Sequence, residues 1–340
     1  MFWDITTAVL DLFAGVGVFL VAIIMLSKTF GKPSEKLNRF FKKTGENRFA
    51  NVSLGTAIVG VTQSSTPTSI IIISLVSGGV LTLFQATGLV MGINVGSSLT
   101  SLMFVFFSFR TRYFIMFFVF IGAVIKLSTK KEKWLNVANI FIVFGLLFVG
   151  ISLMSSALSG NEVVVNFFED VFSRVTFPLW LFLIGVIFTI LVQSSSAVIG
   201  ISVAMVGSGL LQFESAAFIA IGANLGTSFT AVIASISGNK AAKRVAAFHV
   251  LFNLLGSILF LAIVWPLQGV FFPWFQGLIY EPIVQISVFH VVFNFGTMLA
   301  LIGFLKPLNK LVCLIIKDEP EDGNNELIET KITKEYEVLI

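Results

Sequence analysis

The sequence predicts an all-α membrane protein that crosses the bilayer several times, and composition, long apolar segments and an internal repeat all indicate this fold class. Hydrophobic residues make up 56% of the 340 residues and charged residues only 12%, about half the charged share of a soluble domain. This composition argues against a soluble nucleic-acid-binding protein despite the formal net charge of +4. The one cysteine, Cys313, allows no internal disulfide.

Seven segments are predicted to cross the membrane as helices, since about 20 apolar residues span the hydrocarbon core. They cover residues 8–29, 83–107, 113–127, 135–157, 213–237, 245–265 and 283–305. Basic residues collect in the connector 28–48 and in the loops 126–133 and 240–244, whereas the loop 158–176 is acidic. Positive loops stay cytoplasmic. We therefore expect a multi-pass protein of the plasma (inner) membrane with its N-terminus outside and its C-terminus cytoplasmic.

Two further apolar regions, residues 50–77 and 178–207, are each divided by polar residues into stretches too short to cross the bilayer. The dividing segments are Gln63-Ser64-Ser65-Thr66-Pro67 and Gln193-Ser194-Ser195-Ser196. Pro67 removes a helix hydrogen bond and suits the first turn of a new helix. We therefore predict two re-entrant helical hairpins, each built from two half-helices. Irregular backbone at membrane depth is tolerated where it is buried in protein or lines a wet cavity, so each polar tip is a candidate binding site.

The two halves of the chain repeat each other at a spacing of 130 residues. Gln193 follows Gln63 at this spacing, and Gly92-x-Asn94-x-Gly96 is in the same register as Gly222-x-Asn224-x-Gly226. Three crossings separate equivalent points, and because this number is odd the two copies have opposite orientations. Inverted repeats with broken helices and a binding site near the midplane are a recurring transporter architecture.

The predicted organisation follows from this repeat. It consists of a first inverted repeat (1–134), a second inverted repeat (135–270), one extra C-terminal transmembrane helix (271–316) and a polar cytoplasmic tail (317–340).

Each hairpin tip is suited to an anion. Hydroxyls, an amide and the N-terminus of the second half-helix all favour negative charge there. The middle thirds of the predicted crossings contain almost no charged residue, so co-bound sodium ions would supply the compensating charge. The two Gly-x-Asn-x-Gly segments are predicted to be chain breaks, with free carbonyls that bind sodium together with hydroxyls. Close packing of small residues is their alternative role.

These considerations define candidate residues. The predicted anion-binding residues are Gln63, Ser64, Ser65, Thr66, Gln193, Ser194, Ser195 and Ser196. The predicted sodium-binding residues are Ser65, Thr66, Asn94, Ser97, Ser98, Thr100, Ser195, Ser196, Asn224, Thr227, Ser228 and Thr230. No cofactor, other metal or catalytic residue is predicted. Two His-x-x-x-Asn pairs are assigned to interhelical hydrogen bonds, with a catalytic or proton-relay role as the alternative: His249, Asn253, His290 and Asn294.

The two Gln-Ser-Ser segments, together with the two Gly-x-Asn-x-Gly segments, resemble the type II sodium-phosphate cotransporter family over residues 10–305. The pattern at Ala246–Asn253 is also similar to that family. The resemblance implies sodium-coupled symport of inorganic phosphate by alternating access, with the hairpin serines forming the phosphate and sodium sites. It implies a bacterial member without a C-terminal regulatory domain, since the tail is too short for the long helical domain of some relatives.

The chain departs from the family pattern in three places. Thr66 replaces a serine, residues 113–127 lack the usual His and Asn, and no aspartate occurs between Ser101 and Tyr113. These departures leave the sodium-to-phosphate stoichiometry and the electrogenicity open. The direction of transport is also open, because some relatives of the family are associated with export, and the sequence does not give the oligomeric state, a homodimer included. Transport of another anion, such as sulfate or a carboxylate, is the alternative; an intramembrane enzyme and a channel are less favoured.

Overall fold

The computed structural model describes residues 2–30, 45–63, 65–103, 112–159, 166, 170, 174–236 and 238–317. Ser64, most of the basic connector, most of the acidic loop and the tail from residue 318 lie outside the described residues. The α-helices are α1 (Phe2–Phe30), α2 (Arg48–Thr62), α3 (Ser65–Ser77), α4 (Leu83–Leu102), α5 (Arg112–Ser128), α6 (Glu132–Ser159), α7 (Pro178–Val192), α8 (Ser195–Gly207), α9 (Phe213–Ser235), α10 (Lys240–Val264), α11 (Gln268–Leu278), α12 (Pro282–Leu301) and α13 (Leu305–Ile315).

The described part of the chain is helical throughout its regular structure, and several helices are suited to a membrane. Four helical segments are long and apolar enough to cross it: Glu132–Met154, Phe213–Ser235, Lys240–Val264 and Pro282–Ile315. Shorter apolar helical segments accompany them, including α3, α7 and α8. The prediction of an all-α membrane protein is confirmed at this level.

Two pairs of short helices occur where the sequence predicts divided apolar regions. The pairs α2–α3 and α7–α8 consist of helices of 15 and 13 residues. At 1.5 Å per residue each helix is about 20 Å long, which is shorter than the bilayer core of about 30 Å. The chain leaves helical geometry at Gln63 and Gln193, and Pro67 lies in the first turn of α3. The predicted interruptions at the two Gln-Ser-Ser segments are confirmed.

The predicted chain breaks at the two Gly-x-Asn-x-Gly segments are wrong. α4 runs continuously over Leu83–Leu102 and α9 over Phe213–Ser235, so Asn94 and Asn224 lie inside helices and cap nothing. A continuous helix satisfies its own backbone groups, which an apolar interior strongly favours over a break. The glycines serve close packing instead, because a Cβ at Gly92 or Gly222 would collide with backbone of α2 or α7.

The glycine contacts occur in matching positions in the two halves. In the first half, Gly92 faces the carbonyl oxygen of Val52, and a Cβ at Gly96 would lie 2.8 Å from the carbonyl oxygen of Thr56. The corresponding contacts in the second half join residues that are each 130 positions later: Gly222 with Phe182, and Gly226 with Val186. α2 therefore lies on α4 as α7 lies on α9, which positions the two interruptions similarly against a long helix.

The remaining helices connect the two halves. α1 and α5 both pack against α6, while α3 lies against α9 and α8 lies against α4. α10 contacts α3, α4 and α9; α12 contacts α4, α8 and α9. The second helix of each short pair consequently touches a long helix of the other half, so both interruptions share one helical core.

We expect Gly222→Ala to lower the free energy of unfolding by about 1–3 kcal/mol, because the added methyl group would displace α7 from α9. Thermal unfolding of the detergent-solubilised protein measures this change.

Gly17→Ala is the matched control, since a Cβ at Gly17 has no atom within 4 Å outside its own helix turn. Alanine favours a helix by about 1 kcal/mol over glycine, so this variant should unfold at the wild-type temperature or above it. Equal destabilisation by both substitutions would contradict the packing role of Gly222.

Candidate substrate and ion site

The first interruption is a left-handed turn at Gln63, whose φ is 51° and ψ is 29°. Its backbone N–H donates to the carbonyl oxygen of Val59 at 2.7 Å, which closes the end of α2. Both polar atoms of its side-chain amide form hydrogen bonds: Nε2 donates to the Gly60 carbonyl, and Oε1 accepts from Thr100 Oγ1 at 2.6 Å. The hydrogen bond from Thr100 therefore links this turn to α4.

The second interruption has the same backbone geometry. Gln193 has φ 56° and ψ 27°, and its N–H donates to the Thr189 carbonyl at 2.7 Å. Ser194 is the N-cap of α8, with Oγ accepting from the Ala197 N–H at 3.2 Å. The Gln193 side chain is exposed, while Ser195 is only 2% exposed. The second turn therefore presents a free amide above a capped helix start.

Both turns lead directly into the N-terminus of a half-helix, where unpaired N–H groups and the helix dipole favour an anion. Ser65 and Thr66 are half-buried at the start of α3, as is Ser196 at the start of α8. The segments α2–α4 and α7–α9 contain charged residues only near their outer ends, at Arg48 and Glu214. No basic side chain of these helices can hold an anion at either turn, so backbone N–H groups, hydroxyls and amides must do so.

The predicted sodium-binding residues of α4 and α9 are buried, at 7% exposure or less. Most of their hydroxyls donate to carbonyl oxygens three or four residues earlier: Ser97 to Asn94, Ser98 to Val95, Thr227 to Ala223, Ser228 to Leu225 and Thr230 to Thr227. Because each proton is used in this way, the oxygen lone pairs stay available to a hard cation.

A central polar cluster joins α4, α9, α10 and α12, and all of its side chains are 2% exposed or less. Its members are Asn94, Ser101, Asn224, His249, Asn253, His290 and Asn294. Asn94 Nδ2 lies 3.3 Å from His249 Nε2, and Asn253 Nδ2 donates to the Asn224 carbonyl at 2.9 Å. Asn224 Nδ2 in turn donates to Asn294 Oδ1 at 2.6 Å. Each of the three pairs joins two different helices.

Sequence reasoning missed Ser101, which lies 3.3 Å from His290 Nδ1 through its Oγ. The signal was available: Ser101 follows Asn94 by seven residues, two helical turns along the same face. It also missed Thr189, a buried residue one turn before Gln193 whose hydroxyl has no partner among the described residues. The only sequence feature that indicated Thr189 is its position one helical turn before Gln193, and this feature is a weak signal.

Comparison with known proteins identifies relatives over most of the chain. A sequence model of the family described as Na+/Pi-cotransporter matches residues 18–156 and 161–271. The uncharacterized protein YqeW of Bacillus subtilis is 28% identical over 313 residues, which is 92% of this chain and 98% of that protein. No solved structure matches the chain.

Two other relatives carry functional names. The putative inorganic phosphate export protein YjbB of Escherichia coli K12 is 28% identical over 84% of this chain but only 51% of its own length. The chain thus spans about half of that protein. The sodium-dependent phosphate transport protein 2A of Mus musculus is 36% identical over 113 residues, or 33% of this chain and 18% of its own length.

The resemblance predicted from the two Gln-Ser-Ser segments is confirmed by these matches. Both segments, and the long helices that cover them, lie within the matched residues. The chain therefore belongs to the Na+/Pi-cotransporter family, which is a family of transporters and not of enzymes.

Proposed function

We propose that this protein is a sodium-coupled transporter of inorganic phosphate that works by alternating access. The observation that carries the proposal is the pair of left-handed turns at Gln63 and Gln193, each opening into the N-terminus of a half-helix inside an apolar core. In a member of the Na+/Pi-cotransporter family, two such turns are suited to hold one oxyanion between them.

The phosphate ligands in this proposal are the polar groups of the two turns. They are Gln63, Ser64, Ser65, Thr66, Gln193, Ser194, Ser195 and Ser196. Hydroxyls and backbone N–H groups donate to phosphate oxygens, and the two helix N-termini add favourable electrostatic potential. Ser64 lies outside the described residues, so its role rests on its place between Gln63 and Ser65.

Sodium ions would balance the phosphate charge, because no basic side chain of the described helices α2–α4 and α7–α9 adjoins the turns. Hard cations prefer oxygen ligands, and the buried hydroxyls of α4 and α9 already direct their protons to helix carbonyls. The proposed sodium ligands are these hydroxyls and those of the turns, at Ser65, Thr66, Ser97, Ser98, Thr100, Ser195, Ser196, Thr227, Ser228 and Thr230, with the amide oxygens of Asn94 and Asn224.

The two halves are proposed to be inverted repeats with re-entrant hairpins at α2–α3 and α7–α8. Support comes from features that recur 130 residues apart: the left-handed glutamines, the glycine contacts between helices, and positive φ values of 67° at Gly79 and 80° at Gly209. Inverted repeats of this kind allow a central site to open to either side in turn.

The proposed orientation places the C-terminus in the cytoplasm and the N-terminus outside. Arg48 at the start of α2 donates to the Ile302 carbonyl, and Arg244 near the start of α10 donates to the Ile316 carbonyl at 2.8 Å. Lys306 lies 6.0 Å from the ring centroid of Phe84. Basic residues from distant parts of the chain thus gather at one end of the molecule, and positive charge favours the cytoplasmic face.

Phosphate export is the second candidate, and one observation favours it: the relative from Escherichia coli is named a putative inorganic phosphate export protein. Export uses the same site, because the direction of net flux depends on the gradients and on which ion is coupled. Transport of another oxyanion or a carboxylate would also use these turns and differs only in selectivity.

We expect proteoliposomes containing the protein to accumulate radiolabelled phosphate above equilibrium when an inward sodium gradient is imposed. With an equal potassium gradient, phosphate should only equilibrate at the background rate, because the proposal assigns the hydroxyl sites to sodium. Arsenate should compete with phosphate and sulfate should not.

Accumulation driven equally by sodium and potassium would contradict sodium coupling. Competition by sulfate or dicarboxylates, with no inhibition by arsenate, would assign another substrate. Phosphate loss from preloaded vesicles without sodium dependence would favour the export alternative.

We expect Gln193→Gly to abolish most uptake without lowering thermal stability. Glycine adopts φ near 56° without the steric cost of about 1 kcal/mol that a side chain incurs, so the turn itself is preserved while the exposed amide is lost. Initial uptake rate and thermal unfolding of the same preparation separate these effects. Normal transport by this variant would remove Gln193 from the phosphate site.

We expect Ser194→Ala to reduce uptake strongly and to lower the free energy of unfolding by about 1 kcal/mol through loss of the helix cap. Ser194→Asn restores a capping oxygen and hence stability, yet it lacks the hydroxyl and should remain poorly active in the uptake assay. Ser208→Ala, at the opposite end of α8, removes a hydroxyl whose described hydrogen bond is to the Met205 carbonyl, and this variant should transport normally. Full activity of Ser194→Asn would show that Ser194 acts as a cap alone.

A further inference from the structure

The last long helix, α12, lies beyond residue 271, where the match to the family ends, yet it belongs to the helical core. It packs against α4, α8 and α9. α10 makes the reciprocal set of contacts, with α9, α3 and α4. If the halves are exchanged, so that α4 replaces α9 and α3 replaces α8, the surroundings of α12 become those of α10.

The sequences of α10 and α12 agree with this equivalence. Phe248-His249-Val-Leu-Phe252-Asn253 corresponds to Phe289-His290-Val-Val-Phe293-Asn294, and all eight named side chains are buried. α5 occupies the position in the chain order of the first half that α10 has in the second, but it contains neither His nor Asn and packs mainly on α6. α12 thus supplies to the first half what α5 lacks.

The contacts of α12 are specific hydrogen bonds. The Ser101 hydroxyl has two carbonyl oxygens within reach, that of Ser98 at 2.6 Å and that of Ser287 in α12 at 3.3 Å. Its oxygen also lies 3.3 Å from His290 Nδ1. One turn further on, Asn294 Oδ1 accepts from Asn224 Nδ2 at 2.6 Å. α12 therefore joins α4 to α9 through polar contacts with Ser101 and Asn224.

Ser101 is adjacent to Thr100, which contacts the first turn, and the second half has no equivalent of this pair of contacts. Thr100, its neighbour, donates to Gln63 Oε1 at 2.6 Å. At the equivalent positions of α9 stand Ala231, which has no hydroxyl, and Thr230, which donates to its own helix at the Thr227 carbonyl. The described contacts thus connect α12 with Gln63 and leave Gln193 exposed.

We propose that His290 and Asn294 of α12 are positioning residues for the first Gln-Ser-Ser-Thr turn. They hold the end of α4 against α9, and this fixes Thr100 where it orients the Gln63 amide toward the substrate. This inference rests on the proposed function, in which Gln63 is a phosphate ligand. It adds a part of the chain that the family match does not include.

The test uses Ser101→Ala and His290→Ala in the proteoliposome assay. Each should raise the phosphate concentration for half-maximal uptake about three- to tenfold, the size of one lost hydrogen bond in binding, with a smaller change in maximal rate. Ser287→Ala is the matched control, because the described hydrogen bond of this buried hydroxyl is to the Ile283 carbonyl of its own helix. The contact of Ser287 with Ser101 is made by the backbone carbonyl, which the substitution keeps. His290→Asn, which restores a donor near the Nδ1 position, should recover part of the affinity.

The double variant Ser101→Ala/His290→Ala should show no larger rise than Ser101→Ala alone, because that substitution already removes the contact with His290. Additive effects, or lower yield and thermal stability with unchanged half-saturation, would overturn the positioning role and leave a packing role for α12.

A second measurement is independent of transport. Spin labels at Val61→Cys and Leu191→Cys, both in a Cys313→Ala background, report the mobility of matched sites beside the two turns, since the native side chains are 66% and 74% exposed. Ser101→Ala should increase mobility beside the first turn only. Unchanged mobility at both labels would overturn the inference, whereas absent phosphate uptake with increased mobility at residue 61 would overturn the proposed function alone.

Discussion

The structure depends on one constraint: backbone N–H and C=O groups at two helix ends have no helical partner and lie inside an apolar protein. α2 stops at Gln63 and α7 stops at Gln193, and a bilayer core offers no water to satisfy the N–H and C=O groups that remain. The left-handed turns satisfy some of them by bonding back one helical turn. The rest require cover by protein, and α4 and α9 provide it. Their glycines make this possible, because any larger residue at Gly92 or Gly222 would hold the covering helix away.

Cover from both halves also supports the proposal that the two interruptions form one site. α3 leaves the first turn along α9, and α8 leaves the second turn along α4. A shift of one half relative to the other therefore changes the surroundings of both helix N-termini. In the proposed mechanism this is the useful property, since phosphate and sodium need ligands that rearrange together when the site changes sides. The central polar cluster crosses the same boundary through Asn94 and His249, so it links the halves by a polar contact with definite partners.

Much of this arrangement could be predicted from the sequence, because polar residues inside apolar segments are expensive and therefore informative. The interruptions at Gln63 and Gln193 and the role of Pro67 followed directly. The supposed breaks at Gly92 and Gly222 did not, since glycine weakens a helix and also permits close packing, and a single sequence cannot separate these effects. The placement of α12 against both halves could not be predicted either, because packing between elements distant in the chain has no local signal.

The two turns have equal backbone geometry but unequal surroundings, and the inequality has a physical consequence. Gln63 is held by Thr100, whereas Gln193 is exposed and Thr230 bonds to its own helix. A held side chain has already lost conformational entropy and can bind without losing more, whereas a free one must be ordered by the substrate. If phosphate meets both turns, the first provides preorganised affinity and the second provides a part that responds to occupancy. In the proposed alternating access both properties are useful, because two rigid turns would hold phosphate tightly and resist rearrangement, whereas two free turns would bind it weakly.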